Sequence, residues 1–175
     1  MDIYLTPRKF GQIHLIDEAR YSLEIPNAGG SSDISEALSM QYMYNRFGAA
    51  DFIAEMDVPY WIDAKKCDFM MTVGSEWIGV SVTRAIPYPF NQDYTLERAT
   101  ELLKRKLYGL VVAKEAIMEE YGFSKSVLHI WCYNAKCAKM IQKAHALLIT
   151  EDSYDQVHVI CTINSCPFIY TNKQQ

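Results

Sequence analysis

Long hydrophobic runs are missing from this chain, as are zinc-type spacings, low-complexity tracts and paired cysteines. No apolar stretch approaches the length that crosses a bilayer, so no membrane is expected as a partner. The opening MDIYLTPRKF holds no cleavable hydrophobic segment, which makes a cytoplasmic or nuclear location the expectation. Histidine is scarce, four in 175 residues, and neither HxH nor HExxH spacing occurs, which argues against a zinc enzyme. The five cysteines, Cys67, Cys132, Cys137, Cys161 and Cys166, are odd in number, contain no CxxC pair and lie mostly in apolar stretches. They read as buried reduced thiols rather than a disulfide framework. Positive charge is in deficit too: a net charge of −4 argues against nucleic-acid binding driven by generic phosphate contacts. Local basic stretches remain, at Arg98, Lys104, Arg105, Lys106 and Lys114.

What is present suits one α/β domain over residues 1–175, with half of the residues apolar and 22% charged. A strand is predicted from Arg20 to Ile25, closed by Pro26. The turn-rich Asn27-Ala28-Gly29-Gly30-Ser31-Ser32 precedes Asp33 and Glu36, a capping-box spacing for a helix running to Phe47 and ended by Gly48. Backbone N–H groups at that helix start form a natural anion site, without the spacing of a P-loop. A strand is expected near Phe52–Ile62, bent or terminated by Pro59. Phe69–Val73 and Trp77–Val82 then flank Gly74-Ser75-Glu76 as a hairpin. Helical periodicity runs from Thr95 to Glu119, with Ala99, Leu102, Leu103, Leu110, Ala113 and Ile117 on one stripe. A strand Val127–Cys132, a helix Ala135–Leu148 and a strand Val157–Ile163 follow. The order is α-β-β-β-α-β-α-β, which implies a mixed central sheet flanked by helices.

The hairpin is where chemistry concentrates. Asp68 opens its first strand, and folding about the turn brings Ser81 and Thr83, two apart and so on one face, roughly opposite that acid. Lys106 falls inside the apolar stripe of the following helix, where a solvated lysine is not expected and a partner is; a side chain snorkelling past its neighbours is the alternative. Glu55 and Asp57 are two apart in the expected first strand and would share a face. Other arrangements are weaker. Cys132 and His129 are three apart and point to opposite faces of a strand. Tyr88-Pro89-Phe90 with Tyr94 could stack on bases or close the core.

This element order resembles the restriction-endonuclease-like PD-(D/E)XK core, a helix before a three-stranded meander and then helix and strand. The resemblance implies a metal-dependent nuclease: Glu36 matches the helix acid and Asp68 the hairpin acid, while Ser81 and Thr83 stand at the Glu and Lys of Glu-X-Lys. That chemistry needs carboxylates to hold Mg²⁺, here Asp68, Glu36 and Glu55, and a cation that steadies charge on the phosphate. Lys106 is the expected substitute cation, and Arg84, Lys104 and Arg105 are expected to contact substrate. The wording of GGSSDISEALS, AEMDVPYW, CDFMMTV, GVSVTRA, LLKRKLYGLVVAKEAI and LHIWC also resembles an uncharacterised family of amoebae, fungi and large DNA viruses, and that family in turn resembles PD-(D/E)XK proteins in fold. Two functions follow as expectations, a divergent Mg²⁺-dependent phosphodiesterase acting on nucleic acid, or an inactive nuclease-fold module that binds nucleic acid or an unknown protein partner.

Overall fold

The computed structural model describes residues 2–3, 9–25, 32–90, 92–149, 154 and 156–171. The Gly29-Gly30-Ser31 loop therefore lies outside the described residues. The chain runs β1 (Asp2–Ile3), α1 (Asp17–Glu24), α2 (Asp33–Phe47), β2 (Ala50–Ala54), β3 (Phe69–Val73), β4 (Glu76–Ala85), α3 (Leu96–Ala116), β5 (Lys125–Cys132), α4 (Ala135–Leu148), β6 (Val157–Ile163) and α5 (Pro167–Thr171). The expected α-β-β-β-α-β-α-β order is present from α2 to β6, with β1, α1 and α5 added.

The strands form one mixed sheet in the order β1-β6-β5-β4-β3-β2. Strands β2, β3 and β4 make an antiparallel meander, and β5 and β6 continue parallel to β4 through helical crossovers. Between β3 and β4 the turn is the two residues Gly74-Ser75, with Val73 paired to Glu76. Gly74 has φ +63° there, the left-handed conformation that a two-residue hairpin demands. Gly48, also at φ +63°, ends α2 in the same way.

Helices cover both faces of the sheet. Leu103, Leu107 and Leu110 of α3 and Ile141 of α4 pack on Leu128 and Ile130. On the other face, Leu38, Met40 and Met43 of α2 and Phe168 of α5 pack on Val80, Val82 and Trp131. Strand β5 is buried from Ser126 onward because helices lie on both sides of it. Among the described residues no helix is long and apolar enough to cross a membrane.

A polar network ties α2 to the sheet inside the second core. Trp131 Nε1 donates to the Ser35 carbonyl and to Ser39 Oγ, both at 2.9 Å. His129 bonds Ser39 Oγ at 2.8 Å and Thr162 Oγ1 at 2.9 Å through its two ring nitrogens and stacks on Tyr42. Full burial pushes the His129 pKa down to about 3, so the ring is neutral.

Three expectations need correction. Residues 20–25 are not a strand: α1 covers most of them, with Asp17 and Glu18 in its first turn and Ala19 buried. The alternation through Tyr21-Ser22-Leu23-Glu24-Ile25 mimicked a strand, yet acids at a helix N-terminus and docking on α2 favour the helix. The first meander strand is five residues long. A positive φ at Asp51 (50°), a register irregularity between Ala50 and Ile53, and a 3₁₀ turn at Glu55–Asp57 end it before Pro59, so Glu55 and Asp57 do not share a strand face. The capping box at Asp33 is not made. Ser32 is the N-cap, and its hydroxyl donates to the Glu36 carboxylate instead of capping the backbone.

His129→Gln should lower stability by about 1–3 kcal/mol at pH 7, because Ser39 and Thr162 lose well-placed partners. Wild-type stability should also fall as pH drops from about 6.5 toward 3, since the unfolded chain takes up a proton that the buried ring refuses. Chemical denaturation of both proteins across that range checks the two outcomes, with a flatter pH dependence expected for the variant.

Candidate functional site

Strand β4 outruns β3. Its first five residues pair with β3, up to Val80 opposite Phe69, while Ser81 to Ala85 keep only β5 beside them. Asp68, immediately before β3, fills the start of that open edge. Its backbone N–H donates to the Val80 carbonyl at 2.8 Å. Its Oδ2 accepts from the Ser81 hydroxyl at 2.7 Å and from the Val82 backbone N–H. A carboxylate thus caps a strand edge whose N–H would otherwise lack a ladder partner.

Lys106 approaches from α3. Its Nζ lies 3.7 Å from Asp68 Oδ2 and donates to Ser81 Oγ at 3.3 Å, with the two charged side chains only 26% and 16% exposed. The sequence-predicted partner for this lysine is therefore present. Lys106, Ser81 and Asp68 form a chain in which each hydrogen bond orients the next group. Thr83 is half-buried two residues further along β4.

Glu36 approaches from the first turn of α2. Burial, the negative charges of Asp68, Glu55 and Asp33, and a partly offsetting bond from Ser32 together raise its pKa to about 7. Asp68 is the largest of those charges, so helix acid and hairpin acid share one electrostatic neighbourhood. Glu55 joins it from the 3₁₀ turn after β2. Among the described residues, no group of three His, Cys, Asp or Glu side chains is close enough to hold a metal ion between them. Two carboxylates with a water or phosphate shell suffice for Mg²⁺, which keeps most of its waters. Among the described residues the hydrogen bonds to the Asp68 carboxylate fall on Oδ2, and Glu36 and Asp68 offer oxygen donors of the hard kind that Mg²⁺ takes.

The backbone before Asp68 is pinned as well. Tyr60 Oη accepts from the Cys67 N–H at 2.9 Å and donates to Cys67 Sγ at 3.2 Å. Burial pushes the Cys67 thiol up to about 12, which makes it a poor nucleophile.

Arg84 points to the opposite face from Thr83, donating to the Ile169 carbonyl of α5 at 3.2 Å. Burial lowers its pKa, and the charges of Glu36 and Asp33 oppose that shift. It also lines an open cleft of about 360 Å³ together with Tyr94, Arg98, Glu101, Leu102 and Arg105. Arg105 thus shares a wall with Arg84, whereas Lys104 is exposed and does not line the cleft. Glu101 was not anticipated as a site residue, and Tyr94 only as a stacking or core aromatic; the spacing 98-101-102-105 marks one helix face and was the available signal. The aromatic segment divides: Tyr94 is buried, while Tyr88 and Phe90 are exposed.

No family profile matches the chain, and no solved structure matches it. The chain is similar to the AAC-rich mRNA clone AAC4 protein of Dictyostelium discoideum, with 34% identity over 125 residues that cover 68% of this chain and 18% of that protein. It spans less than a fifth of that relative's length.

Folded Glu36 holds its proton to about pH 7, whereas its ordinary value is 4.5. Folding therefore takes up a proton between those values, and stability falls as pH rises through the window. Glu36→Gln should remove that loss, gaining roughly 2–3 kcal/mol over wild type at pH 8 and little at pH 4.5. Denaturant titrations of both proteins at the two pH values test this; an equal difference at both would mean that Glu36 ionises normally.

Proposed function

We propose that this chain is a PD-(D/E)XK-like, restriction-endonuclease-like protein that acts on nucleic acid by Mg²⁺-dependent phosphodiester hydrolysis. The observation that carries the reading is the pairing of Glu36 and Asp68. Burial and then the charge of Asp68 raise the Glu36 pKa to about 7, and a lysine lies 3.7 Å from Asp68. Carboxyls perturbed in this way beside a second acid cluster at functional sites. The order of α2, the β2-β3-β4 meander, α3 and β5 supports the same core.

Glu36 and Asp68 would hold the ion, with Glu55 beside them. When bound, the ion would polarise the phosphate and acidify the attacking water. Lys106 would offset charge that builds on the phosphoryl oxygens, doing from α3 what the expected lysine at Thr83 would do from the strand. Ser81 is a positioning residue, since it receives Lys106 and donates to Asp68. The neutral Ser81 and Thr83 at the Glu-X-Lys positions favour a second reading, an inactive module that binds nucleic acid or a protein through the same surface.

Single- and double-stranded DNA and RNA incubated with the protein at pH 8 should be cleaved in Mg²⁺ or Mn²⁺ and not in EDTA. Asp68→Asn and Lys106→Met should each reduce the rate about 100-fold or more. Either cation should also raise the melting temperature at pH 8 and not at pH 5.5, where Glu36 is protonated. Cleavage that survives Asp68→Asn would put the reaction elsewhere. A folded protein with neither cleavage nor a cation-dependent shift would leave the inactive module.

A further inference from the structure

The cleft beside Arg84 gathers arginine charge that hydrolysis at Asp68 leaves unused, over a floor made by Tyr94. Tyr94 is only 6% exposed, and its hydroxyl is the one buried side-chain polar atom among the described residues without a hydrogen-bond partner. Leaving such a donor unpaired costs about 1–3 kcal/mol. Burial raises the Tyr94 pKa, with Cys132, Cys137 and Cys161 acting in the same sense, so the ring closes the floor of the cleft with its hydroxyl protonated and shut off from solvent.

Charge around the cleft states which ligand suits it. Arg84, Arg98 and Arg105 line the cleft against the single carboxylate of Glu101, three positive charges less one negative, a net of two positive. Arg98 is held in place by the Tyr88 carbonyl at 2.8 Å and Gln92 Oε1 at 3.4 Å, which leaves further N–H groups of its five for a ligand. Guanidinium forks suit phosphate oxygens. A phosphate monoester, whose second pKa is about 6, approaches two negative charges at neutral pH, whereas an internal phosphodiester carries one. The volume of about 360 Å³ lies at the small end for ligand sites and suits one end residue rather than a duplex.

We propose that this cleft receives the terminal phosphate monoester of a single-stranded nucleic acid, with Arg84, Arg98 and Arg105 on the phosphate. The inference rests on the nucleic-acid reading above and names the form of substrate that site meets. Arg84 links the two, since it lines the cleft and senses the charge of Glu36.

The test is direct binding in EDTA, where metal-dependent cleavage cannot occur. Single strands of about ten nucleotides carrying a 5′-phosphate, a 3′-phosphate or two hydroxyl ends are labelled internally and titrated by fluorescence anisotropy. One phosphorylated end should bind about tenfold tighter than the hydroxyl form at pH 7.5, and the advantage should shrink below pH 6. Arg98→Ala and Arg105→Ala each alter an exposed side chain, and each should erase most of the advantage of the phosphorylated strand over the hydroxyl form. Equal affinity for all three strands overturns the proposal, as does an advantage untouched by both substitutions. A nucleoside monophosphate or inorganic phosphate that binds as tightly as the strand overturns the strand-end assignment in favour of a free-phosphate site. Failure here leaves cleavage at Asp68 standing, and failure of cleavage leaves this binding result standing.

Discussion

The carboxylate of Asp68 on the unpaired edge of β4 is the contact from which the rest of the site follows. Because β3 stops at Phe69, the backbone of β4 beyond Val80 loses its antiparallel neighbour, and Asp68 satisfies the Val82 N–H and the Ser81 hydroxyl in its place. The same shortfall opens the sheet between its two helical layers. Lys106 reaches the carboxylate from the α3 layer and Glu36 influences it from the α2 layer. A β3 longer by a few residues would continue the ladder over this edge and keep the layers apart.

Position of the second acid depends on the buried polar network between α2 and β5. Ser35 and Ser39 of α2 are bonded to Trp131, and Ser39 also to His129, so the helix turn that carries Glu36 is fixed relative to β5. Apolar packing of Leu38 and Met40 alone would allow α2 to slide along the sheet, because dispersion is not directional. The polar contacts specify one register. A neutral, buried His129 and a Glu36 that favours its proton respond to pH in opposite senses, which places the network and the site under different electrostatic control.

Most of the fold could be read from local pattern. α4 and β6 begin and end where periodicity and turn residues said they would, and α3 differs only at its ends, because each is long, strongly patterned and bounded by caps. Thr95 and Asn134 cap their helices with side-chain oxygens. α1 was misread because eight residues hold too few periods to separate 2.0 from 3.6. The strand expected through Ile62 was misread because Glu55 to Asp57 turn under the influence of contacts distant in sequence: Tyr60 bridges to Ile117 and Tyr60 Oη holds Cys67.

By itself the sequence determined which side chains oppose each other within the hairpin and that Lys106, set in an apolar stripe, needed a partner. Two-residue alternation and helical period carry that information locally. Only the tertiary structure decided that burial and the charge of Asp68 together raise the pKa of Glu36, that Glu55 leaves its strand, and that Arg84 and Tyr94 meet Arg98 and Arg105 around one cleft. Those relations depend on where β3 stops and how α2 and α3 dock. Such long-range terms are set by packing of the whole core, not by any pattern within a single element.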